Sequence, residues 1–71
     1  MTKTFKELAI GDEFAIGITI SGKYVQEKAI RTKTAPLPWR SGHHKNAEYV
    51  NGFGLKCFEW YRPDDEVVPL G

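Results

Sequence analysis

Few side chains in this sequence are of a type and at a spacing that could do chemistry. His43 and His44 are adjacent, so in an extended loop their rings point apart, and the single cysteine, Cys57, lies elsewhere in the chain. A closed zinc site needs four ligands at chelating spacing, and the acidic run at 64–66 does not have the spacing of a calcium loop. The sequence contains no nucleophile elbow, P-loop or GxGxxG motif. We therefore expect a binding protein rather than an enzyme, without metal or cofactor.

A basic segment that contains a tryptophan gives the strongest indication of a binding site. Residues 28–47 carry five Lys or Arg, two His and no acidic residue, although the whole chain has a net charge of only +1. Trp39 and Arg40 follow Pro36 and Pro38 in this segment, and a Trp beside an Arg is typical of interface anchors. The same pair suits base stacking with phosphate neutralisation. Trp39 could instead fold back and cover the core, and the sequence leaves that alternative open.

Two classes of partner fit this segment. A protein partner could use it together with the aromatic residues at 55–61, and DNA or RNA could use its basic side chains for phosphates and its aromatic side chains for bases. The near-balanced net charge favours the protein partner, because stand-alone nucleic-acid modules of this size are clearly basic. A homo-oligomer is a further expectation. The predicted binding residues for either class are Trp39, Arg40, Arg31, Lys33, His43, His44, Lys45, Tyr49 and Phe53.

A long hairpin at residues 13–33 is the first element that must position these residues. Large apolar residues alternate with small ones in its first half, which predicts a strand with one apolar face. The apolar residues are Phe14, Ile16, Ile18 and Ile20. Ser21-Gly22 predicts a tight turn, because glycine adopts a positive φ at little cost. The return strand changes phase near Gln26-Glu27, which predicts a bulge that bends the ribbon.

Shorter signals precede and follow the hairpin. Thr4 and Glu7 have the spacing of a capping box, which predicts one helical turn with Phe5 and Leu8 buried against the core. Residues 34–46 are predicted to be a loop, because two prolines interrupt the strand pattern there.

The last third of the chain predicts three more strands. Two lie within residues 47–61 and are joined at Asn51-Gly52, a type I′ turn signal, although Gly54 allows a looser turn. The second of them is apolar on both sides, so we expect it to be central or to pair with a partner chain. Residues 66–69 predict a short last strand.

These signals together predict the fold class. A chain of 71 residues is near the lower size limit for a self-supporting core. We predict one all-β domain over residues 1–71, a small antiparallel barrel that is SH3-like or alternatively OB-like, with about five strands. No apolar run is long enough for a signal peptide or a membrane span, so we expect a cytoplasmic protein.

Sequence patterns at the two ends of the chain are similar to those of a known group of proteins. Phe5, Leu8, Gly11 and Phe14 form F-x-x-L-x-x-G-x-x-F, and the chain closes on R-P-D-D-E-V-V-P-L. This pattern resembles uncharacterised small all-β, SH3-like barrel proteins of bacteria and phages. The resemblance implies a compact all-β domain without an assigned activity. For the protein-partner hypothesis, we expect a protein-interaction factor of phage or mobile-element type. It covers about a third of the chain and transfers no site residues.

A shorter similarity concerns Phe53. The run Gly52-Phe53-Gly54 is similar to the G-F-G core of the first RNA-binding motif of cold-shock domains, in which the aromatic ring stacks on bases. The similarity implies a stacking role for Phe53. The aromatic strand that precedes this motif in cold-shock domains, and the apolar run that follows it, have no counterpart here.

Overall fold

The computed structural model describes residues 2–27, 29–39 and 42–70, and over residues 18–20 it describes the backbone alone. Within these ranges the chain forms eight strands and one 3₁₀ turn. The strands are β1 Lys3–Thr4, β2 Glu13–Ala15, β3 Gly17–Ile20, β4 Lys23–Gln26, β5 Arg31–Leu37, β6 Lys45–Val50, β7 Lys56–Glu59 and β8 Glu66–Pro69, and the turn is Phe5–Glu7. The strand pairs are antiparallel. The predicted all-β class is therefore confirmed.

Six of the strands form one sheet and two form a separate hairpin. The order in the sheet is β1-β8-β2-β5-β6-β7, and β3 pairs with β4. Within the described residues no pairing joins β1 to β7, so the sheet is open. The closed barrel and its SH3-like or OB-like form stay predictions. The strands outnumber the five that were expected because the long hairpin is interrupted and because β1 adds a two-residue pairing with β8.

The hairpin predicted at residues 13–33 is confirmed as two successive strand pairs, β3 with β4 at its tip and β2 with β5 at its base. Ser21 and Gly22 have φ values of 50° and 78°, as in a type I′ turn, whose twist matches that of the flanking strands. Between the tip pairing and the base pairing lie two residues on the outgoing strand but four on the return strand. The predicted bulge is therefore present, between Gln26 and Arg31.

The apolar side of this ribbon lies at the centre of the core. Phe14 is fully buried, and Ile16 packs against the core residues. The side chains of Ile18 and Ile20 lie outside the described residues, so their predicted burial stays a prediction. Three rings meet at the centre, because Phe14 lies edge-on to both Phe5 and Tyr61 at centroid distances of 5.6 and 5.3 Å. The core residues are Phe5, Leu8, Phe14, Ala47 and Val67, with Ile16 and Tyr61 packed against them.

The predicted capping box at the N-terminus is confirmed. The carboxylate of Glu7 accepts hydrogen bonds from the backbone N–H of Thr4 at 2.9 Å and from its hydroxyl at 2.7 Å. Phe5 and Leu8 are buried, as the sequence predicts. The backbone N–H of Phe5 also donates to the carbonyl of Asp65 at 2.8 Å. The single turn therefore holds the two ends of the chain together over the core.

The prediction of a loop over residues 34–46 is wrong at both of its bounds. β5 continues to Leu37, and β6 already begins at Lys45. Pro36 is tolerated in β5 because the pairing with β6 shifts register between Lys33 and Leu37, and a bulge leaves one residue without a ladder hydrogen bond to make. The connection is thus limited to residues 38–44.

The two strands predicted within residues 47–61 are confirmed as β6 and β7, which pair with each other. The looser of the two turns is the one present, because Gly54 has the positive φ, 78°, and Asn51 donates its N–H to Leu55. The expectation of a central second strand is wrong, because β7 lies at the edge of the sheet. Strand order depends on long-range pairing, which a local apolar pattern does not determine. The predicted last strand is confirmed as β8.

Candidate functional site

Two residues that connect β5 to β6 pack their rings on two residues at the end of β7. The Trp39 ring lies 5.9 Å from the Phe58 ring at an angle of 49°. The His43 ring stacks on the Trp60 ring at 3.9 Å with an angle of 10°. Phe58 and Trp60 are two residues apart in an extended segment, so they share one side, as the sequence predicts. We call these four residues the aromatic surface.

The aromatic surface is accessible to solvent. Trp39 is 49% exposed and Trp60 is 36% exposed. Lys45 places its Nζ atom 5.3 Å from the centroid of the Trp39 ring, within the range in which a cation is attracted to a ring face. The alternative in which Trp39 covers the core is therefore wrong. Half of its surface remains available to a partner.

Arg31 lies inside the protein rather than on this surface. Its side chain is 4% exposed. Its Nε atom donates to Glu59 at 2.7 Å, and its two terminal nitrogens donate to the Ala29 carbonyl and to Glu27 at 2.9 Å each. The guanidinium also lies 4.7 Å from the centroid of the Tyr49 ring. The predicted binding role of Arg31 stays untested, but its donors are already used within the chain.

The neighbours of Arg31 and Tyr61 shift the pKa values of these two residues. Burial alone would lower the pKa of Arg31, but the hydrogen bond from Arg31 to Glu59 and the nearby anions raise it above its ordinary value. Burial and the hydrogen bond that its hydroxyl donates to Glu59 raise the pKa of Tyr61 well above the ordinary phenol value. Arg31 therefore stays charged and Tyr61 stays protonated at neutral pH. Through Glu59, the ion pair and the Tyr61 hydrogen bond connect β7 to Arg31 of β5.

Lys33 is also used internally. Its Nζ atom donates to the carbonyl oxygens of Phe5 at 3.0 Å and Leu8 at 2.7 Å. It also lies 4.6 Å from the centroid of the Phe5 ring. These carbonyls belong to the 3₁₀ turn and its end, and the Phe5 carbonyl also accepts the backbone N–H of Leu8 at 3.1 Å. The position of Lys33 therefore indicates a structural role.

The remaining predicted residues are dispersed. Phe53 is 90% exposed at the tip of the β6–β7 connection, where the Asn51 side chain accepts hydrogen bonds from the N–H groups of Phe53 and Leu55. This tip is at the end of the β6–β7 hairpin opposite to the β5–β6 connection that carries Trp39 and His43, and Phe58 lies between the two ends, opposite Glu48. Tyr49 lies half-buried beside Arg31, and His44 is exposed. Arg40 lies outside the described residues.

Phe58 and Trp60 are absent from the predicted binding residues, although the aromatic residues at 55–61 are expected to contribute to a protein-binding surface. Their alternation favours a strand that is central or pairs with a partner chain, and it does not show that this strand lies at the edge of the sheet.

Other kinds of site have little support. In the described part of the chain, no group of three or more His, Cys, Asp or Glu residues could hold a metal ion. A shallow groove of about 350 Å³ passes between Ile30 and Val50. Its wall contains Glu48 and Lys56, whose charged atoms are 3.6 Å apart. Over residues 2–27, 29–39 and 42–70, none of the helical structure has the length and apolar character needed to span a membrane.

Comparison of this chain with protein-family models, with curated proteins and with solved structures gives no match. The resemblance of the two chain ends to small phage and bacterial proteins therefore stays a prediction. The argument for function depends on the geometry of the site.

Proposed function

We propose that this chain is a non-enzymatic binding module that attaches to a protein partner through the aromatic surface. The observation that carries the proposal is the half-exposed Trp39, whose ring packs against Phe58 and has the Lys45 ammonium group over it. A tryptophan whose orientation is already fixed loses little conformational entropy on binding. Tryptophan is also among the residues that most often dominate binding energy in protein interfaces.

The proposal includes three finer predictions. The domain is a closed SH3-like or OB-like barrel, the protein is a factor of phage or mobile-element type, and it acts in the cytoplasm. None of the three is needed for binding through the aromatic surface.

Nucleic-acid binding is the alternative function, and the positions of the basic residues favour it less. Arg31 and Lys33 use their donors within the chain, so two of the expected phosphate contacts are already engaged. Lys45 beside Trp39 and the exposed ring of Phe53 still suit stacking on bases. Electrostatic binding of this kind would weaken steeply with salt.

The test compares variants of one tagged protein. Trp39→Ala removes the exposed ring, and Ile10→Ala removes an exposed apolar side chain that is not part of the aromatic surface. We expect Trp39→Ala to weaken capture of the protein partner at least about tenfold, the scale of an interface anchor. Ile10→Ala should bind like the unmodified chain.

The same proteins are then titrated with single- and double-stranded oligonucleotides at low and moderate salt. Salt-dependent binding that Trp39→Ala abolishes would replace the protein-partner proposal with the nucleic-acid alternative. Equal capture by the Trp39→Ala and Ile10→Ala variants would remove the aromatic surface from either function.

A further inference from the structure

β7 has an open edge whose backbone groups can be assigned. In the part of the chain that the structure describes, β6 is the sole strand beside β7. Asn51 donates its N–H to the carbonyl of Leu55 at 2.9 Å. At the other end, the Asn46 side chain bonds both the N–H and the carbonyl of Tyr61 at 2.9 Å. Residues 55 and 61 therefore both turn their backbone groups toward β6.

Backbone groups alternate in direction along an extended strand. With 55 and 61 directed toward β6, the intervening odd-numbered residues are directed there as well. The N–H and carbonyl groups of Lys56, Phe58 and Trp60 are therefore directed to the open edge. An edge with a row of free donors and acceptors is a template for another strand.

We propose that this edge pairs with the same edge of a second copy of the chain. The two strands run antiparallel about a two-fold axis at Phe58, as an isologous interface requires. Phe58 then lies opposite Phe58 of the second copy, and Lys56 lies opposite Trp60 of the second copy. This inference goes beyond the proposed function, because it uses the backbone edge of β7, including Phe58 and Trp60 of the aromatic surface, whereas the proposed function depends on the exposed ring of Trp39.

The side chains of β7 are self-complementary in this register. Directly opposed residues lie on the same face of an antiparallel pair. The register places an aromatic ring against an aromatic ring and an ammonium group against an indole, and both are favourable pairs. A register centred on Cys57 would leave Trp60 beyond the paired segment, whereas the register centred on Phe58 pairs all of residues 56–60. The self-complementarity is what identifies the occupant as a second copy.

The small size of the chain favours such an interface, because a domain of 8.1 kDa buries only a small core of its own. Small domains also commonly gain stability by oligomerisation.

Sedimentation equilibrium across a roughly hundredfold range of concentration tests the dimer. We expect the average mass to rise from 8.1 kDa toward twice that value. Lys56→Pro deletes an N–H that faces the open edge, where proline is tolerated, and should weaken dimerisation at least about tenfold. Lys56→Ala keeps the N–H and is the matched control, with a smaller loss.

A second variant tests the inference even if Lys56→Pro does not fold. Phe58→Lys keeps the backbone N–H but places two ammonium groups opposite each other at the two-fold axis, so it should also abolish the dimer. Circular dichroism and urea unfolding verify that each variant remains folded. Trp39→Ala should dimerise like the unmodified chain, which separates a failure of this inference from a failure of the proposed function.

Three results would overturn the inference. The first is a monomer at every concentration. The second is equal dimerisation of the unmodified chain, Lys56→Pro and Phe58→Lys, which would place the interface elsewhere. The third is a Cys57–Cys57 disulfide that forms faster in the dimer than in the dilute monomer, because the register centred on Phe58 offsets the two thiols beyond bonding reach.

Discussion

The basic segment divides into two regions that use their cations in opposite ways. In the first region the cations are directed inward. Arg31 donates to Glu59 and Glu27. Lys33 donates to the carbonyls at the 3₁₀ turn and its end. In the second region, Lys45 lies over a half-exposed Trp39. The same residue types, within fifteen positions of one another, thus stabilise the fold at one end and form a surface at the other.

The difference shows that a cluster of charge in sequence is not a cluster of charge in space. Alternation along β5 and the sheet order determine which cations meet internal acceptors. Four predictions test the comparison by neutralising one charge at a time.

Replacing Arg31 should have the largest effect. Arg31→Met leaves the carboxylates of Glu59 and Glu27 without their buried cation. Breaking one side of a buried ion pair typically costs about 3–5 kcal/mol. The Glu59 and Glu27 side chains are 29% and 35% exposed, so water can solvate them. We therefore expect a loss at the lower end of that range, about 3 kcal/mol, in the free energy of unfolding. Urea denaturation followed by circular dichroism measures it, with Arg62→Met, at an exposed arginine, as the control.

The control should change the unfolding free energy by less than about 0.5 kcal/mol. If Arg31→Met were as stable as Arg62→Met while losing affinity for a partner, Arg31 would belong to the binding surface and the comparison would fail.

Replacing Lys33 should have an intermediate effect. Lys33→Met removes two donors from the carbonyls of Phe5 and Leu8, and charged hydrogen bonds of this kind contribute about 1.5–3 kcal/mol. The matched control is Lys23→Met, at an exposed strand residue. Hydrogen exchange should show faster opening of the 3₁₀ turn in Lys33→Met alone. Equal protection in both variants would contradict a structural role for Lys33.

Replacing Lys45 should barely affect stability. Lys45→Met removes the cation over Trp39, an interaction worth about 0.5–1 kcal/mol at an exposed site. We expect the unfolding free energy to fall by no more than that amount, while partner capture weakens. A loss as large as that of Lys33→Met would indicate that Lys45 also holds the fold together.

The smallest expected effect is on the pH dependence of stability, and it concerns Glu7 in the N-terminal capping box. The backbone N–H of Thr4, followed by its hydroxyl, donates to Glu7 and lowers its pKa below 4.5. The stabilisation by this carboxylate is present above its ordinary pKa and is lost as the pH falls through the lowered value. The difference in unfolding free energy between the unmodified chain and Glu7→Gln should therefore shrink on acidification.

NMR titration of Glu7 checks the cause. Thr4→Ala removes the hydroxyl but keeps the backbone N–H, so the pKa of Glu7 should move part of the way back toward 4.5. An unchanged difference between the unmodified chain and Glu7→Gln down to about pH 3 would contradict the capping role.

The features that the sequence predicts correctly are those with local causes. The Ser21-Gly22 turn, the Thr4 and Glu7 capping box and the last strand at 66–69 each depend on residues within a few positions of one another. The bulge in the return strand was also detectable, because it breaks an alternation.

The features that the sequence does not predict depend on distant partners. Arg31 is directed inward because Glu59 lies 28 residues away in sequence but 2.7 Å away in space. β5 extends past Pro36 because a register shift against β6 accommodates it. β7 lies at the edge because β8 pairs with β1 and β2 instead. In each case a long-range pairing overrides the local signal.

Solvent quenching of a single tryptophan tests the central claim most directly, namely that the basic segment directs Arg31 and Lys33 inward and the Trp39 ring outward. The chain has two tryptophans, so in Trp60→Phe the fluorescence reports on Trp39 alone. The structure predicts substantial quenching of the folded protein by acrylamide, in keeping with a ring that is 49% exposed. A blue-shifted emission that acrylamide quenches only after unfolding would place Trp39 in the core and contradict the account.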